Sequence, residues 1–406
     1  MADLHQAHDV ATLHRFDTGN LERLELELEA FGRRRPIGLV LPCLFSEFSR
    51  PAIRHILDEL RQARYIDTIV LSLGQASLPE MMVARQALAR LPQRVRLIWN
   101  DGPAMQALYR QLADHGLPVD QDGKGRSCWI AYGYLLAEHR CEVIASHDCD
   151  ITTYSRELVA RLCYPLAHPR LGFDFAKGYY ARYNSTINGR VTRLFVSPLV
   201  RALQRVAGPQ PLLRFLDGFR YPLAGEFAMT SAVARVNRLP ATWGLEMGVL
   251  AEVFRNRGAR RACQTELCAV YDHKHQPLSA DDAERGLLKM CIDIGRTLLR
   301  SLAAEGVGLD EGAFRTLGVH YTRLAEDAVS AFEADAAINS LAFDRHQEET
   351  MVGVFSHGLD LACARFVENP ATPLIPSWER VSAAVPGFLD SLRDVVDGEC
   401  VAIAAA

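Results

Sequence analysis

CEVIASHDCD, residues 141–150, joins a short apolar run to two carboxylates one residue apart. CEVIAS is too short for a helix of its own and reads as a buried strand. Asp148 and Asp150 then project into the loop at its carboxyl end, where open α/β sheets place their ligands. Toward the N-terminus three more runs fit the same description: IGLVLPCL (37–44), IDTIVLSL (66–73) and VRLIWN (95–100). Helical patterns separate them. Pro51 opens one, and Ile53, Ile56, Leu57, Leu60 and Ala63 follow at the spacing of a helix laid on a sheet. Segments 79–90, 103–115 and 126–139 read the same way. Such alternation predicts an α/β fold, a mostly parallel central sheet with helices on both faces.

Beyond residue 150, LGFDFAKGYY (171–180) reads as a strand, followed by a polar loop, a helix over 191–206, a helix starting near Trp243 and a last strand, LCAVYDHKH (267–275). From Ser279 onward the patterns are helical only: 280–304, 310–339, 343–367 and 377–396. The chain thus divides into an N-terminal helical segment (1–35), a catalytic domain (36–278, its halves meeting at 150) and an all-helical C-terminal extension (279–406). That extension packs either on its own catalytic domain or on a twofold mate, which would make a homodimer.

Composition narrows the function. Of 406 residues 49% are apolar, and the longest apolar runs, residues 37–45 and 128–137, are nine and ten residues even with glycine and proline allowed. A membrane helix needs about twenty, so no membrane partner is expected. Acidic residues (49) slightly outnumber basic ones (45), a net charge of −4 that gives nucleic acid no basic field to find. Ten cysteines without a CxxC pair suggest buried, reduced thiols of a cytoplasmic protein, and MADLHQAHDV lacks the basic start and apolar core of a signal peptide.

Several short segments carry chemistry. Asp148 and Asp150 offer hard oxygen ligands suited to Mg²⁺ or Mn²⁺, which would neutralise a diphosphate. Gly123-Lys124-Gly125 opens a predicted helix, where free N–H groups favour an anion, although a plain turn would use the same residues. Asn188-Gly189-Arg190-Val191-Thr192 repeats the theme with a guanidinium that can grip phosphate or carboxylate, or merely cap an exposed helix. Glu226 follows a small-residue turn in PLAGE, and Glu246 sits at a helix start, where it could equally cap N–H groups. His273 and His275 share a face if their segment is a strand. GxSxG, HExxH and GxGxxG are all absent.

Taken in order, these segments resemble the glucosyl-3-phosphoglycerate synthases, retaining glycosyltransferases of the GT-A fold. The resemblance runs from about Ile37 to Ser279. It rests on Leu41-Pro42-Cys43-Leu44, the Gly-Lys-Gly at 123–125, the Asp-x-Asp at 148–150, Gly189-Arg190-Val191-Thr192, Pro222-Leu223-Ala224-Gly225-Glu226, Trp243-Gly244-Leu245-Glu246, and His273 before Pro277-Leu278. It implies that Asp150 and His273 ligate Mg²⁺ or Mn²⁺, with Asp148 supporting the metal and the nucleotide ribose. Lys124, Glu47, Pro42, Cys43 and Leu44 would hold the nucleotide sugar. Glu246 and Glu226 would act at the glucosyl ring, and Gly189, Arg190, Val191, Thr192 and His275 would bind a small anionic acceptor. Three positions depart from the family pattern: Ser72-Leu73-Gly74-Gln75 lacks the usual acid after the second strand, Phe45-Ser46-Glu47 replaces Asn-Glu-Glu, and Tyr271 and His275 replace Arg and Asn.

The expected activity is metal-dependent transfer of glucose from UDP- or GDP-glucose to D-3-phosphoglycerate, a step toward the compatible solute glucosylglycerate. Alternatives are a glucosyl- or mannosylglycerate synthase acting on D-glycerate, a sugar nucleotidyltransferase, or a non-enzymatic scaffold. Nucleotidyltransferases usually need a glycine-rich basic loop after the first strand, and LPCLFSEFSR has no glycine.

Overall fold

Eight strands build one sheet: β1 (Ala11–Leu13), β2 (Ile37–Leu44), β3 (Ile66–Gly74), β4 (Arg94–Trp99), β5 (Val143–Ser146), β6 (Phe175–Tyr180), β7 (Phe227–Thr230) and β8 (Ala262–Cys268), in the order β1-β8-β6-β7-β5-β2-β3-β4. The structure, a computed structural model, describes residues 6, 9–16, 20–273, 278–279, 282–371 and 374–402. All pairings are parallel except those of β7, which runs antiparallel to both β5 and β6. Because side chains alternate across a strand, the apolar runs feed two cores. Leu39, Leu41, Ile69 and Leu71 join the helix Pro51–Leu60 on one face. Val40, Val70 and Ile98 join the helix Lys124–Glu138 on the other. Helices on both faces explain why these strands are apolar throughout.

The four expected N-terminal strands and the helices between them are present. Sequence periodicity missed β1 and β7, of three and four residues, too short to show a period of their own. β1 holds only by pairing with β8, Ala11 opposite Cys263. The last strand lies earlier than expected, over Ala262–Cys268 rather than 267–275. Its register with β6 shifts at Tyr179/Tyr180 and pairing stops there. Residues beyond leave the sheet, so that Tyr271 N–H donates to the Ala181 carbonyl and His273 bridges to Ile151. The single helix expected over 377–396 is two, Trp378–Ala384 and Phe388–Ala402, because Pro386 and Gly387 (φ +82°) interrupt it. The expected helix at 191–206 begins as a π-helix, Val191–Val196, and continues as an α-helix, Ser197–Ala207. Pro198 has no N–H to give the Leu194 carbonyl, and the Tyr321 hydroxyl donates to it instead at 3.0 Å.

The C-terminal helices pack on their own catalytic half. Trp378 stacks on Trp129 with ring centroids 4.0 Å apart. Each indole N–H donates to a carbonyl across the contact, Trp129 to Pro376 and Trp378 to Trp129 itself. Arg96 on β4 pairs with Asp397 at 2.7 Å. One apolar cluster therefore runs from Ile98 and Trp129 through Leu298 and Tyr321 to Trp378 and Val396. Among the described residues no helix is long and apolar enough to cross a membrane. Trp378→Ala empties a fully buried site and should cost about 3–5 kcal/mol. A urea midpoint that does not move would mean that the helical region is not part of the core.

Candidate active site

Parallel pairing of Val40 with Ser146 delivers residues 147–150 to the carboxyl edge of the sheet, beside the end of β2. His147 is fully buried there. Its Nδ1 lies 2.9 Å from the Asp148 carbonyl, which can only accept, so Nδ1 carries the proton and Nε2 accepts from the Tyr154 hydroxyl at 3.1 Å. Burial pushes this imidazole down to about 4. It is therefore a neutral strut under the Asp-x-Asp loop.

Asp148 points at Lys124, with Oδ1 2.6 Å from Nζ, and Glu246 stands on the other side of the same ammonium at 3.0 Å. Burial works to raise the Asp148 carboxyl, but Lys124 overrides it and holds Asp148 below its ordinary range. Burial likewise works to lower Lys124, and the two carboxylates drive it well above the usual lysine range. Asp148 and Lys124 both stay charged around neutral pH. Glu246 lies in the first turn of the helix beginning at Leu245 and accepts from the lysine. The glycines on either side of Lys124 are packing requirements: a Cβ on Gly123 would lie 2.6 Å from the Ala241 carbonyl oxygen, and one on Gly125 2.1 Å from that of Pro240.

Glu226 lies one layer behind. It has no exposed surface, and its two oxygens accept from the Tyr180 and Tyr271 hydroxyls at 2.7 Å each. Those rings stack 3.8 Å apart. Burial, then the charge of Asp148, raises the Glu226 carboxyl. Its carboxylate thereby holds the two stacked rings in place. Lys177, which sequence reasoning missed, is fully buried on β6 and donates to the Ala224 carbonyl at 2.6 Å. Burial pushes it down to about 8. It pins the loop in which Gly225 passes so close that a Cβ would lie 2.4 Å from Asp148 Oδ2 and 2.9 Å from Lys124 Nζ. The available signal was a lysine inside an otherwise apolar strand, since a buried lysine needs a partner.

Asp150 faces His273, with Oδ2 3.6 Å from Nδ1. The Ile151–His273 bridge and hydrogen bonds from Thr152 N–H and hydroxyl to the Asp272 carbonyl clamp the two loops together. Asp150 Oδ1 is buried without a hydrogen-bond partner. Among the described residues no three His, Cys, Asp or Glu side chains already stand together as a metal cage. One carboxylate with a lone-pair-bearing oxygen and one imidazole nevertheless fit Mg²⁺ or Mn²⁺, which usually keep water and substrate phosphates as their other ligands.

At the end of β2, Cys43 is buried, Leu44 is 43% exposed, and Pro42 is half-buried. Glu47 is buried, with its Oε2 3.6 Å from Arg50. Gly189 lies against Tyr221, whose ring is 5.0 Å from that of Tyr180. Arg190 pairs with Glu348 at 2.8 Å, while Val191 and Thr192 are buried beneath it. His275 lies outside the described residues. Tyr271, a departure from the family pattern, turns inward to Glu226.

Comparison with known proteins sharpens this geometry. The chain is 46% identical over 398 residues to the glucosyl-3-phosphoglycerate synthase of Persephonella marina, covering 98% of both chains. It is 36% identical over 397 residues to that of Methanococcoides burtonii, covering 97% of this chain and 96% of the other. The chain belongs to the glucosyl-3-phosphoglycerate synthase family. No family model matches it. The fold is also that of the Mycobacterium tuberculosis member solved with Mn²⁺, uridine diphosphate and glucosyl-3-phosphoglycerate, at a TM-score of 0.54 and 24% identity over 75% of this chain and 90% of that one. Another structure of the same mycobacterial protein contains Mn²⁺, UDP-glucose and phosphoglyceric acid. The sheet and its Asp-x-Asp loop are accordingly those of a glycosyltransferase of the GT-A type.

Two outcomes test this site. Gly225→Ala forces Asp148 and Lys124 apart and should lower kcat/KM about 100-fold, the scale of an ångström misplacement; a wild-type kcat/KM would refute the close packing. Between pH 6.5 and about 4 the unfolded chain takes up a proton at His147 that the folded chain refuses, so stability falls as pH drops through that window. The loss is roughly 3 kcal/mol from this residue. His147→Asn should flatten the pH dependence of the urea midpoint there, and an unaltered slope would clear His147 of the effect.

Proposed function

We propose that this protein transfers glucose from a nucleoside diphosphate glucose to D-3-phosphoglycerate, with retention at the anomeric carbon, using Mg²⁺ or Mn²⁺. The carrying observation is the Lys124–Asp148–Glu246 charge cluster at the carboxyl edge of β5, beside the Asp150–His273 pair. Support comes from full-length identity to two synthases of this name and from the ligands in the mycobacterial structures. Uracil is the proposed donor base because the mycobacterial structures hold uridine diphosphate or UDP-glucose, and the buried, unpaired thiols of eight cysteines suit a reducing cytoplasm.

In the reaction the bond from the anomeric carbon to the diphosphate oxygen breaks, and the acceptor hydroxyl oxygen forms the new glycosidic bond on the same face. The acceptor proton goes to the departing phosphate. Asp150 and His273 would hold the divalent ion, which as a Lewis acid neutralises the diphosphate. Lys124 adds a fixed positive charge where the leaving group gathers negative charge, and it is already oriented by two carboxylates. Glu246, at the pocket edge, accepts hydrogen bonds from sugar hydroxyls. Glu226 keeps Tyr180 and Tyr271 stacked as the wall behind them, and Gly189 and Arg190 receive the acceptor's anionic groups.

Purified enzyme should form product from UDP- or GDP-glucose with 3-phosphoglycerate, lose activity to a chelator and regain it with Mg²⁺ or Mn²⁺. Equal turnover of free glycerate, or a preference for a mannosyl donor, would overturn the reading. Arg190→Ala should raise KM for phosphoglycerate about tenfold, the loss of one charged contact, and leave the donor KM alone. Equal changes in both constants would remove Arg190 from the acceptor site.

A further inference from the structure

We infer that Glu348, in the C-terminal helix Arg345–Glu368, is a positioning residue that orients Arg190 toward the acceptor's anionic group. The inference rests on the acceptor role proposed for Arg190 and assigns the helical extension a part in substrate recognition.

Glu348 is 4% exposed and lies between two guanidiniums, with Oε1 2.8 Å from Arg190 Nε and Oε2 2.5 Å from Arg193 Nη1. Gln347, one residue earlier, accepts from Arg190 Nη2 at 2.8 Å. Arg190 is thus gripped along one edge of its planar fork, and Nη1 enters neither contact. A guanidinium held in this way has lost its rotamer freedom before any ligand arrives, which favours binding. Two positive charges against one negative leave the triad net positive, as an anion site requires.

The same region ties the acceptor loop to the extension at three further points. Arg193 donates to the carbonyls of Ile187 and Asn188 and packs over the Phe332 ring. Ala342 N–H donates to the Ser185 carbonyl at 2.9 Å, beside a bridge from Thr186 to Ala342. The Tyr321 hydroxyl caps the Leu194 carbonyl in the π-helix. On its other side the loop abuts the sugar pocket: Gly189 lies against Tyr221, which stacks toward Tyr180 and so toward Glu226. Glu348 therefore reaches the wall of the reaction site through a short chain of contacts, although it is more than a hundred residues away in sequence.

Glu348→Gln keeps the shape of the side chain and removes its charge. It should raise KM for 3-phosphoglycerate about tenfold, leave the donor KM and kcat within about twofold, and add nothing when combined with Arg190→Ala. Gln347→Ala, at a more exposed contact, should raise the acceptor KM by a smaller factor without affecting folding, and it carries the test if Glu348→Gln folds poorly. Glu348→Asp should restore part of the acceptor affinity. Several results would overturn the inference: unchanged acceptor KM in folded Glu348→Gln, a lower acceptor KM (Glu348 then competes with the acceptor), parallel changes in donor and acceptor constants, or full additivity with Arg190→Ala. If Arg190→Ala alone leaves the acceptor KM unchanged, the acceptor assignment itself fails, whatever Glu348 does.

Discussion

Lys124 stands between Asp148 and Glu246 at the one place where the sheet reverses direction. Glu246 is buried and Asp148 about a quarter exposed, and the ammonium between them offsets their desolvation and mutual repulsion. Much of the surrounding backbone follows from keeping that cation in place. Pro240 and Ala241 press on the glycines that flank it, and the loop carrying Gly225 closes over the pair from the other side. The antiparallel strand β7, between β5 and β6, follows directly on this loop.

That arrangement also explains a division of labour among the acids. Asp148 is engaged by the lysine and Glu226 by two tyrosines. Asp150 keeps an unpartnered oxygen and Glu246 keeps an edge toward the pocket. Four carboxylates of similar intrinsic acidity take different parts because burial and neighbours differ, not because their chemistry does.

The helical C-terminal region shares one apolar cluster with the helix that begins at Lys124. The paired tryptophans fasten it under the helix that begins at Lys124. Its longer helices hold Arg190, Arg193 and Leu194 through Glu348, Phe332 and Tyr321. A fold that binds two anionic substrates side by side needs both halves of its cleft rigid, and the sheet supports only one of them directly.

Local pattern in the sequence determined the β2–β5 strands, the helices laid on them and the Asp-x-Asp loop, because buried strands and amphipathic helices write their periods into consecutive residues. The glycine turns, Lys124, Glu246 and His273 were legible for the same reason, as short motifs at element ends. Tertiary structure alone decided the rest. β1 and β7 are too short to carry a period and form only because β8, β5 and β6 offer open hydrogen-bonding edges. Lys177 beneath Ala224, the tyrosine pair around Glu226, and Glu348 between two arginines join residues tens to more than a hundred positions apart. Charge and hydrogen-bond compensation act through space, so no window along the chain contains both partners.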